Sequence, residues 1–253
     1  MKIETILTPA ELPSLAQRIL REPACVVFDV LRATSTFVTA LQNGAAAIIP
    51  VAEIAEAVAL RKQHPEFLLA GERDGVRIRA AQSGGTDFDF GNSPREFTPE
   101  MVSGKTIVST TTNGTRALRA GAGAKIVLAA SFLNLQATAD FLRQKNCAEI
   151  LLIAAGTGEG VALEDVLAVG ALMELLAARG DARTTLSDSA RIAQTVFQQS
   201  KAELSTTIGH SQNGRRLLAM PELREDVAFC SQRDIFNLVA TMDAAGRLRQ
   251  LRG

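Results

Sequence analysis

An aspartate stands at the end of a strongly apolar stretch near the start of the chain. Residues 24–28 read Ala-Cys-Val-Val-Phe; Asp29 comes next and Arg32 shortly after. A carboxylate at the end of an apolar strand is costly to bury unless it is paired or binds a metal ion. Asp29 is therefore a candidate metal ligand or nucleophile. The alternative is structural, with Asp29 paired to Arg32 or capping a helix predicted to begin near Thr34.

Further acidic residues follow other apolar runs. Glu72 and Arg73 come after the run 67–70, and Glu164 and Asp165 open a later predicted helix. The crevice of an open parallel sheet lies outside the carboxyl ends of its strands, so these residues are expected at one rim. Adjacent residues cannot share one helix face, so at most one of Glu164 and Asp165 is a direct metal ligand. The alternative is that both only stabilise the amino terminus of their helix.

A run of hydroxyl residues ends in glycine between another apolar run and another predicted helix. It contains Thr111, Thr112, Asn113 and Gly114. Turns of this kind present several backbone N–H groups at the positive end of a helix, which is an arrangement that holds phosphate. The same residues would also serve as ordinary helix caps, and the sequence leaves both functions open.

Asn92 and Ser93 precede Pro94 in a pattern that is typical of a helix start, with Ser93 as the cap and Pro94 at the first helical position. This structural role leaves Asn92 free to face the same crevice. We therefore place both Asn92 and Ser93 in the predicted substrate-binding set.

The charge balance of the chain argues against nucleic acid as a partner. Lys and Arg together number 27, as do Asp and Glu, so the formal net charge is zero. A protein that reads a phosphate backbone carries an excess of positive charge, which is lacking here. Aromatic residues make up 4% of the chain and all are Phe, so the stacking platforms of single-strand binders are also scarce.

Cysteine and histidine usage narrows the chemistry further. Cys25, Cys147 and Cys230 are widely spaced and odd in number, which argues against a disulfide framework and favours a cytoplasmic location. Two histidines, His64 and His210, provide neither an H-E-x-x-H motif nor a well-placed triad base. Any metal is therefore expected to bind oxygen. We predict no signal peptide and no membrane span, and we leave open whether the chain forms a homo-oligomer.

The elements that must position these residues alternate between strands and helices. Continuous apolar runs predict strands that are covered on both faces, hence a largely parallel sheet in a three-layer α/β/α fold. The predicted strands are Ala24–Asp29, Ala47–Val51, Phe67–Ala70, Lys105–Ser109, Lys125–Ala129 and Glu149–Ala154. The predicted helices are Thr34–Asn43, Glu53–Gln63, Leu133–Lys145 and Leu163–Arg179, the last closed by Gly180, with two more helices beyond Thr184. The stretch 80–98 is predicted to be a long loop, and the chain is expected to end in a hairpin of Asn237–Met242 and Arg247–Leu251.

Two stretches of the chain resemble each other at an offset of 77 residues, 117 minus 40. Ala40-Leu41-Gln42-Asn43-Gly44 matches Ala117-Leu118-Arg119-Ala120-Gly121. The match predicts two repeated βαβ units, 22–70 and 104–154, within a single α/β domain over 1–253. The alternative is a chance likeness between Ala- and Gly-rich helix ends.

Several of these blocks together resemble the 2-phosphosulfolactate phosphatase family. The blocks are Asp29-Val30-Leu31-Arg32-Ala33-Thr34, Gly91-Asn92-Ser93-Pro94, Thr110 to Thr115, Glu164-Asp165 with Gly170, and Asp226 to Cys230 with Asp234. The resemblance implies a Mg²⁺-dependent phosphomonoesterase that converts 2-phosphosulfolactate and water to sulfolactate and phosphate, a step toward coenzyme M where that cofactor is made. The partner would be a small phosphorylated acid.

The resemblance and the residues together assign roles. Asp29 is expected to bind Mg²⁺ with Asp165 or Glu164, while Arg32 and the backbone of residues 111–114 clamp the phosphoryl oxygens. Arg73 is expected to bind the sulfonate, and Glu72 joins Asp29 and Arg32 in the predicted catalytic set. The alternative is a non-catalytic sensor whose same loops bind phosphate or a nucleotide. Carboxylates repel phosphate unless a metal ion is present. The several acidic residues expected at the rim therefore favour a metal-dependent hydrolase over the sensor.

Overall fold

The computed structural model describes residues 1–15, 23–177 and 184–251. Its strands are β1 (Lys2–Ile6), β2 (Ala24–Phe28), β3 (Ala47–Pro50), β4 (Leu68–Arg73), β5 (Val76–Arg77), β6 (Thr106–Thr110), β7 (Ile126–Ala130), β8 (Glu149–Ala154), β9 (Thr185–Leu186), β10 (Ala240–Met242) and β11 (Leu248–Gln250). In the described part of the chain they form one sheet in the order β5-β4-β6-β3-β11-β10-β7-β2-β8-β1-β9.

Helices cover both faces of this sheet. They are α1 (Leu12–Leu15), α2 (Ala33–Gln42), α3 (Ile54–Gln63), α4 (Ala80–Ser83), α5 (Pro99–Val102), α6 (Gly114–Ala120), α7 (Leu135–Gln144), α8 (Leu163–Ala177), α9 (Asp188–Ser200), α10 (Leu204–Gly209), α11 (Gln212–Leu218) and α12 (Arg224–Cys230). None of the helices in the described ranges combines the length and apolar composition that crossing a membrane requires.

The central strand β2 shows why apolar runs without alternation form this sheet. Val26 and Phe28 pack in the core beneath α7 and α8, whereas Cys25 and Val27 pack in the core beneath α2 and α6. Successive side chains of a strand point to opposite faces, so a strand buried on both faces must be apolar at every position. The predicted three-layer α/β/α fold with a largely parallel sheet is confirmed.

The carboxyl-terminal hairpin lies in the middle of the sheet. Its strands β10 and β11 pair with each other, β10 pairs with β7, and β11 pairs with β3, all antiparallel. The predicted hairpin is therefore confirmed, but it joins two groups of parallel strands instead of closing an edge. Three successive antiparallel pairings also mean that β3, β6 and β4 run opposite to β7, β2 and β8.

Sheet twist brings the two groups of strands to one rim. Five pairings separate β2 from β6, and a twist of about 20–25° at each pairing turns the two strand directions far from antiparallel. The carboxyl ends of β2 and β6 consequently meet: a Cβ added to Gly114, which follows β6, would lie 2.6 Å from Asp29 Oδ2. Glycine is required here because any side chain would collide with the carboxylate.

Three parts of the structure differ from the sequence prediction. A strand, β1, lies before residue 24, where no strand is predicted, and the loop predicted over 80–98 contains the short helix α4. The described residues 184–251 hold four α-helices, α9 to α12, where two helices are predicted. Helices α4, α10, α11 and α12 carry little periodic signal because each has only 4 to 7 residues. The predicted helix end at Arg179 and Gly180, and residue 22 of the first repeat, lie outside the described residues.

Candidate active site

A cleft of about 230 Å³ opens where the carboxyl ends of β2, β4 and β6 meet α11. Its wall contains, from the predicted site, Asp29, Arg32, Glu72, Asn92, Thr112 and Asn113. Residues far apart in the sequence therefore share one cavity. The β4–β5 turn and helix α11 supply further residues that sequence reasoning did not select, among them Asp74, Asn213 and Arg216.

Asp29 lies at the base of this cleft, with 8% of its surface exposed. Its Oδ1 accepts a hydrogen bond of 3.1 Å from the backbone N–H of Ala33, the first residue of α2. Burial raises its pKa to about 7; repulsion from Glu72 and Glu164 adds to that effect, and the Ala33 bond opposes it. A carboxyl group with this pKa exchanges a proton or accepts a cation readily near neutral pH.

Asp165 is a buried carboxylate that holds two loops of the site. Its Oδ1 accepts a hydrogen bond of 2.8 Å from the N–H of Val30, and its Oδ2 accepts one of 3.0 Å from the N–H of Gly156. Burial, then repulsion from Asp29 and Glu164, raises its pKa well above the usual range. Both oxygens are therefore committed to the backbone, and Asp165 positions the residues beside Asp29.

Glu164 offers the free oxygen that Asp165 lacks. Its Oε1 accepts a hydrogen bond of 2.6 Å from Asn213 Nδ2. Its Oε2 is buried and has no hydrogen-bond partner. A buried acceptor without a partner is costly unless a proton or a cation satisfies it.

The residues present fit a magnesium ion that is held by two carboxylates. Asp29 and Glu164 lie close enough for their charges to repel, and Glu164 has the unpartnered oxygen. Within the described ranges no group of three His, Cys, Asp or Glu side chains forms a ready-made metal cage. Mg²⁺ does not need such a cage, because it usually keeps several waters and takes one or two carboxylates together with substrate phosphate oxygens. The geometry thus favours Glu164 over Asp165 as the partner of Asp29.

The raised pKa of Asp29 leads to a testable effect on stability. Between its ordinary value of 3.8 and about 7, the folded protein holds a proton that the unfolded chain releases. The free energy of unfolding contributed by this group is therefore largest below the unfolded pKa and is lost as pH rises toward 7. We expect the Tm of metal-free protein to fall by several degrees between pH 5 and pH 8, and to fall less in Asp29→Asn. Scanning calorimetry of both proteins tests this, and parallel Tm profiles would contradict the assignment.

Arg32 is held by a buried ion pair on the wall of the cleft. Its Nη1 donates to Asp226 Oδ2 at 2.8 Å, and the two side chains are 3% and 0% exposed. Its Nη2 donates to the carbonyl oxygen of Gly75 at 2.7 Å. The partner of Arg32 is thus Asp226 and not Asp29. The peptide bond between Leu31 and Arg32 is cis.

Glu72 connects the β4–β5 turn to the loop after β6. Its Oε1 accepts hydrogen bonds of 2.9 Å from both the N–H and the Oγ1 of Thr112, and its Oε2 accepts one of 2.7 Å from the N–H of Gly75. Through these contacts Glu72 fixes the hydroxyl-rich loop and the carbonyl that Arg32 binds. Its position in the cleft matches the prediction, while its contacts are those of a residue that positions others.

Three predicted binding residues lie behind the wall of the cleft. Arg73 donates to the carbonyl oxygen of Glu72 at 2.7 Å and to Thr110 Oγ1 at 3.1 Å. Ser93 donates to Asp226 Oδ1 at 2.7 Å, and Thr111 Oγ1 accepts from the N–H of Thr115 at 3.2 Å. Successive strand residues point to opposite faces, which explains why Glu72 enters the cleft and Arg73 does not.

Asp226, Asn213 and Arg216 reach the site from the carboxyl-terminal helices. Asp226 appears in the sequence only as part of a motif block, and neither Asn213 nor Arg216 belongs to any motif. The sequence gives one weak indication that Asn213 and Arg216 act together, because residues three apart on a helix share a face. That signal does not reveal what the face packs against.

Comparisons with known proteins agree with one another. The model of the 2-phosphosulpholactate phosphatase family matches residues 7–245. A protein of Thermotoga petrophila named "Probable 2-phosphosulfolactate phosphatase" is 42% identical over 217 residues, covering 86% of this chain and 88% of its own. Proteins with the same name from Caldanaerobacter subterraneus and Clostridium novyi are 38% and 31% identical, over 89% and 94% of this chain and 90% and 96% of their own.

Proposed function

Since the chain belongs to the 2-phosphosulfolactate phosphatase family, we propose that it hydrolyses 2-phosphosulfolactate to sulfolactate and inorganic phosphate with the help of Mg²⁺. The observation that carries the proposal is the grouping of three carboxylates: Asp29 and Glu72 line the cleft, and the buried Glu164 repels Asp29 and has one oxygen without a hydrogen-bond partner. Such an excess of buried carboxylates needs a cation before it can accept a phosphate group. In organisms that make coenzyme M, this reaction would be a step toward that cofactor.

Asp29 and Glu164 would hold the metal ion, which when bound neutralises charge on the phosphoryl oxygens. Asp165 holds the backbone of Val30, next to Asp29, and of Gly156 in place. Gly114 leaves room for the Asp29 carboxylate against the loop after β6. These contacts support a site whose acidic end is rigid before substrate arrives.

The opposite wall would hold the phosphoryl group. The guanidinium of Arg32 is oriented by Asp226 and the Gly75 carbonyl, so it pays little ordering entropy on binding. Thr112 and Asn113 line the same cavity, and Glu72 holds the Thr112 backbone and hydroxyl in place. As the ester P–O bond breaks and a water oxygen bonds to phosphorus, negative charge develops on the leaving oxygen, which ends with the proton that the attacking water gives up. A fixed guanidinium such as that of Arg32 would stabilise the charge on the phosphoryl group more in the transition state than in the ground state.

The metal requirement is tested by removing and restoring Mg²⁺. We expect EDTA-treated protein to lose phosphate release from 2-phosphosulfolactate and to regain it on addition of Mg²⁺. Binding is also measured without turnover: at about 100 times Kd, Mg²⁺ stabilises a folded protein by about 2.7 kcal/mol, so Tm should rise by several degrees. Glu164→Gln should weaken both effects, whereas Glu174→Gln, at a half-buried position on α8 that pairs with Lys201, should leave them unchanged. Full turnover by metal-free protein would contradict the proposal.

The same assay separates an enzyme from a sensor. A phosphate-binding sensor built from the same loops would bind 2-phosphosulfolactate without releasing phosphate. The family membership and the carboxylate-rich base of the cleft support turnover. Multiple product molecules released per protein molecule would establish it.

A further inference from the structure

Two guanidinium groups line the cleft in the described part of the chain, those of Arg32 and Arg216. They differ in how far a carboxylate of the protein already neutralises their charge. Arg32 is 3% exposed and is paired at 2.8 Å with Asp226, a carboxylate that is fully buried. Its positive charge is thus balanced within the protein, and it adds donors to the cleft more than it adds net charge.

The charge of Arg216 is available to a ligand. Its ion-pair partner, Asp74, lies 3.7 Å away and its side chain is 96% exposed, while Arg216 itself is 41% exposed. An ion pair this long and this exposed contributes little and is readily exchanged for another anion. Arg216 also donates a hydrogen bond to the carbonyl oxygen of Asp74. That contact holds the guanidinium across the mouth of the cleft without neutralising it.

Helix α11 fixes Arg216 at this position. Asn213, Arg216 and Leu217 occupy one face of the helix and all line the cleft. Asn213 Nδ2 donates to Glu164 Oε1 and to Thr157 Oγ1, each at 2.6 Å, which ties the helix to the acidic end of the site. A Cβ on Gly214 would lie 2.1 Å from the carbonyl oxygen of Ile208, so α11 packs against α10 as closely as backbones allow.

The cleft therefore has a buried end and an exposed end of different character. At the buried end Asp29 is 8% exposed and Glu164, held behind it by Asn213, is 1% exposed; a cation is required between these carboxylates and a phosphate. Arg216 at the exposed end needs no such help to attract an anion. A ligand with one anionic group at each end matches this arrangement, whereas a phosphate ester of a neutral alcohol would leave Arg216 with only its long, exposed ion pair to Asp74.

We infer that Arg216 is the specificity-determining residue of this site and binds the second anionic group, sulfonate or carboxylate, of a phosphorylated acid. The inference rests on the proposed function, since it takes the phosphoryl group to lie at the Asp29 end. It moves the role expected for Arg73 to Arg216, because the guanidinium of Arg73 is turned toward Thr110 behind the wall of the cleft. The substrate class that follows is that of small phosphate esters with a second strong anion a few bonds from the ester oxygen.

The experiment compares two substrates in the Mg²⁺-loaded protein. For 2-phosphosulfolactate, Arg216→Gln should lower kcat/KM by roughly 10- to 100-fold, the size of effect produced by loss of a charge-assisted hydrogen bond. For 4-nitrophenyl phosphate, which lacks a second anion, the same variant should change kcat/KM less than about threefold. Arg215→Gln serves as the matched control, because Arg215 is exposed on the same helix and bonds to the carbonyl oxygen of His210.

A binding measurement makes the result independent of turnover. By calorimetry, Arg216→Gln should weaken sulfolactate at least tenfold and leave inorganic phosphate unchanged. Equal losses for both ligands and both substrates would overturn the inference and assign Arg216 to the phosphoryl group. A selective loss in Arg73→Gln with none in Arg216→Gln would also overturn it. Failure of the wild-type protein to hydrolyse any phosphate ester would instead count against the proposed function.

Discussion

Replacing Asp29 by asparagine is expected to abolish turnover, with kcat reduced at least about 1,000-fold, which corresponds to about 4 kcal/mol of transition-state stabilisation. The amide keeps the shape of the carboxylate and its Oδ1 acceptor for the N–H of Ala33. It loses the charge that a cation needs at the base of the cleft. Steady-state assays of phosphate release from 2-phosphosulfolactate at saturating Mg²⁺ measure kcat for both proteins.

Stability separates this effect from misfolding. Asp29 is buried with a pKa raised to about 7, so its ionised form costs folding free energy at pH 8. Asp29→Asn should therefore melt at or above the wild-type Tm at that pH while lacking activity. Asp188→Asn is the matched control, since Asp188 is exposed in the first turn of α9. A near-normal kcat in Asp29→Asn would show that Asp29 only caps α2.

Removing the carboxylate of Asp226 is expected to have the largest effect on stability. Asp226→Ala leaves the guanidinium of Arg32 buried at 3% exposure without its counter-charge. Breaking a buried pair in this way costs about 3–5 kcal/mol, which lowers the Tm of a chain of this size by roughly 10 °C. Glu56→Ala breaks an exposed pair with Arg119 and should cost no more than about 1 kcal/mol.

Two companion variants separate the structural role of this pair from its role in the cleft. The double variant Arg32→Met with Asp226→Leu removes both charges, so it should regain most of the lost Tm while remaining inactive. Arg32→Lys keeps a cation for Asp226 but cannot reach Asp226 and the Gly75 carbonyl as a planar fork does. It should melt near the wild-type Tm and lose at least about tenfold in kcat/KM. An active double variant would show that the pair serves folding alone.

Sequence reasoning predicted the strands and the larger helices because their signals are local. The runs at 24–28 and 150–154 are apolar at every position, as expected of strands buried on both faces. The carboxyl end of α2 is equally local, since Gly44 adopts a positive φ of 91° just beyond the helix. Asp29, Glu72 and Glu164 could be selected for the same reason: each follows a predicted strand or opens a predicted helix.

The tertiary structure alone decided which side chains meet. Glu72 and Arg73 are adjacent in sequence, but strand geometry sends one into the cleft and the other behind it. Asp165 and Glu164 are equally acidic, yet the backbone amides of Val30 and Gly156 occupy both oxygens of the first and leave one oxygen of the second free. A sequence shows the type of each group, whereas the partners of that group depend on every chain segment that packs around it.

The sequence by itself determined the fold class, because a continuous apolar run within one strand indicates that both faces of that strand are buried. It did not determine that the hairpin of β10 and β11 lies between β3 and β7. Strand pairing joins segments that are far apart in the sequence, and the edge of any strand offers the same backbone hydrogen bonds. That placement reverses half of the sheet, and the accumulated twist then brings Asp29 against Gly114. The same long-range packing delivers Asp226 to Arg32 and Arg216 to the mouth of the cleft. The chemistry of the site is thus encoded locally, while its geometry results from contacts between distant parts of the chain.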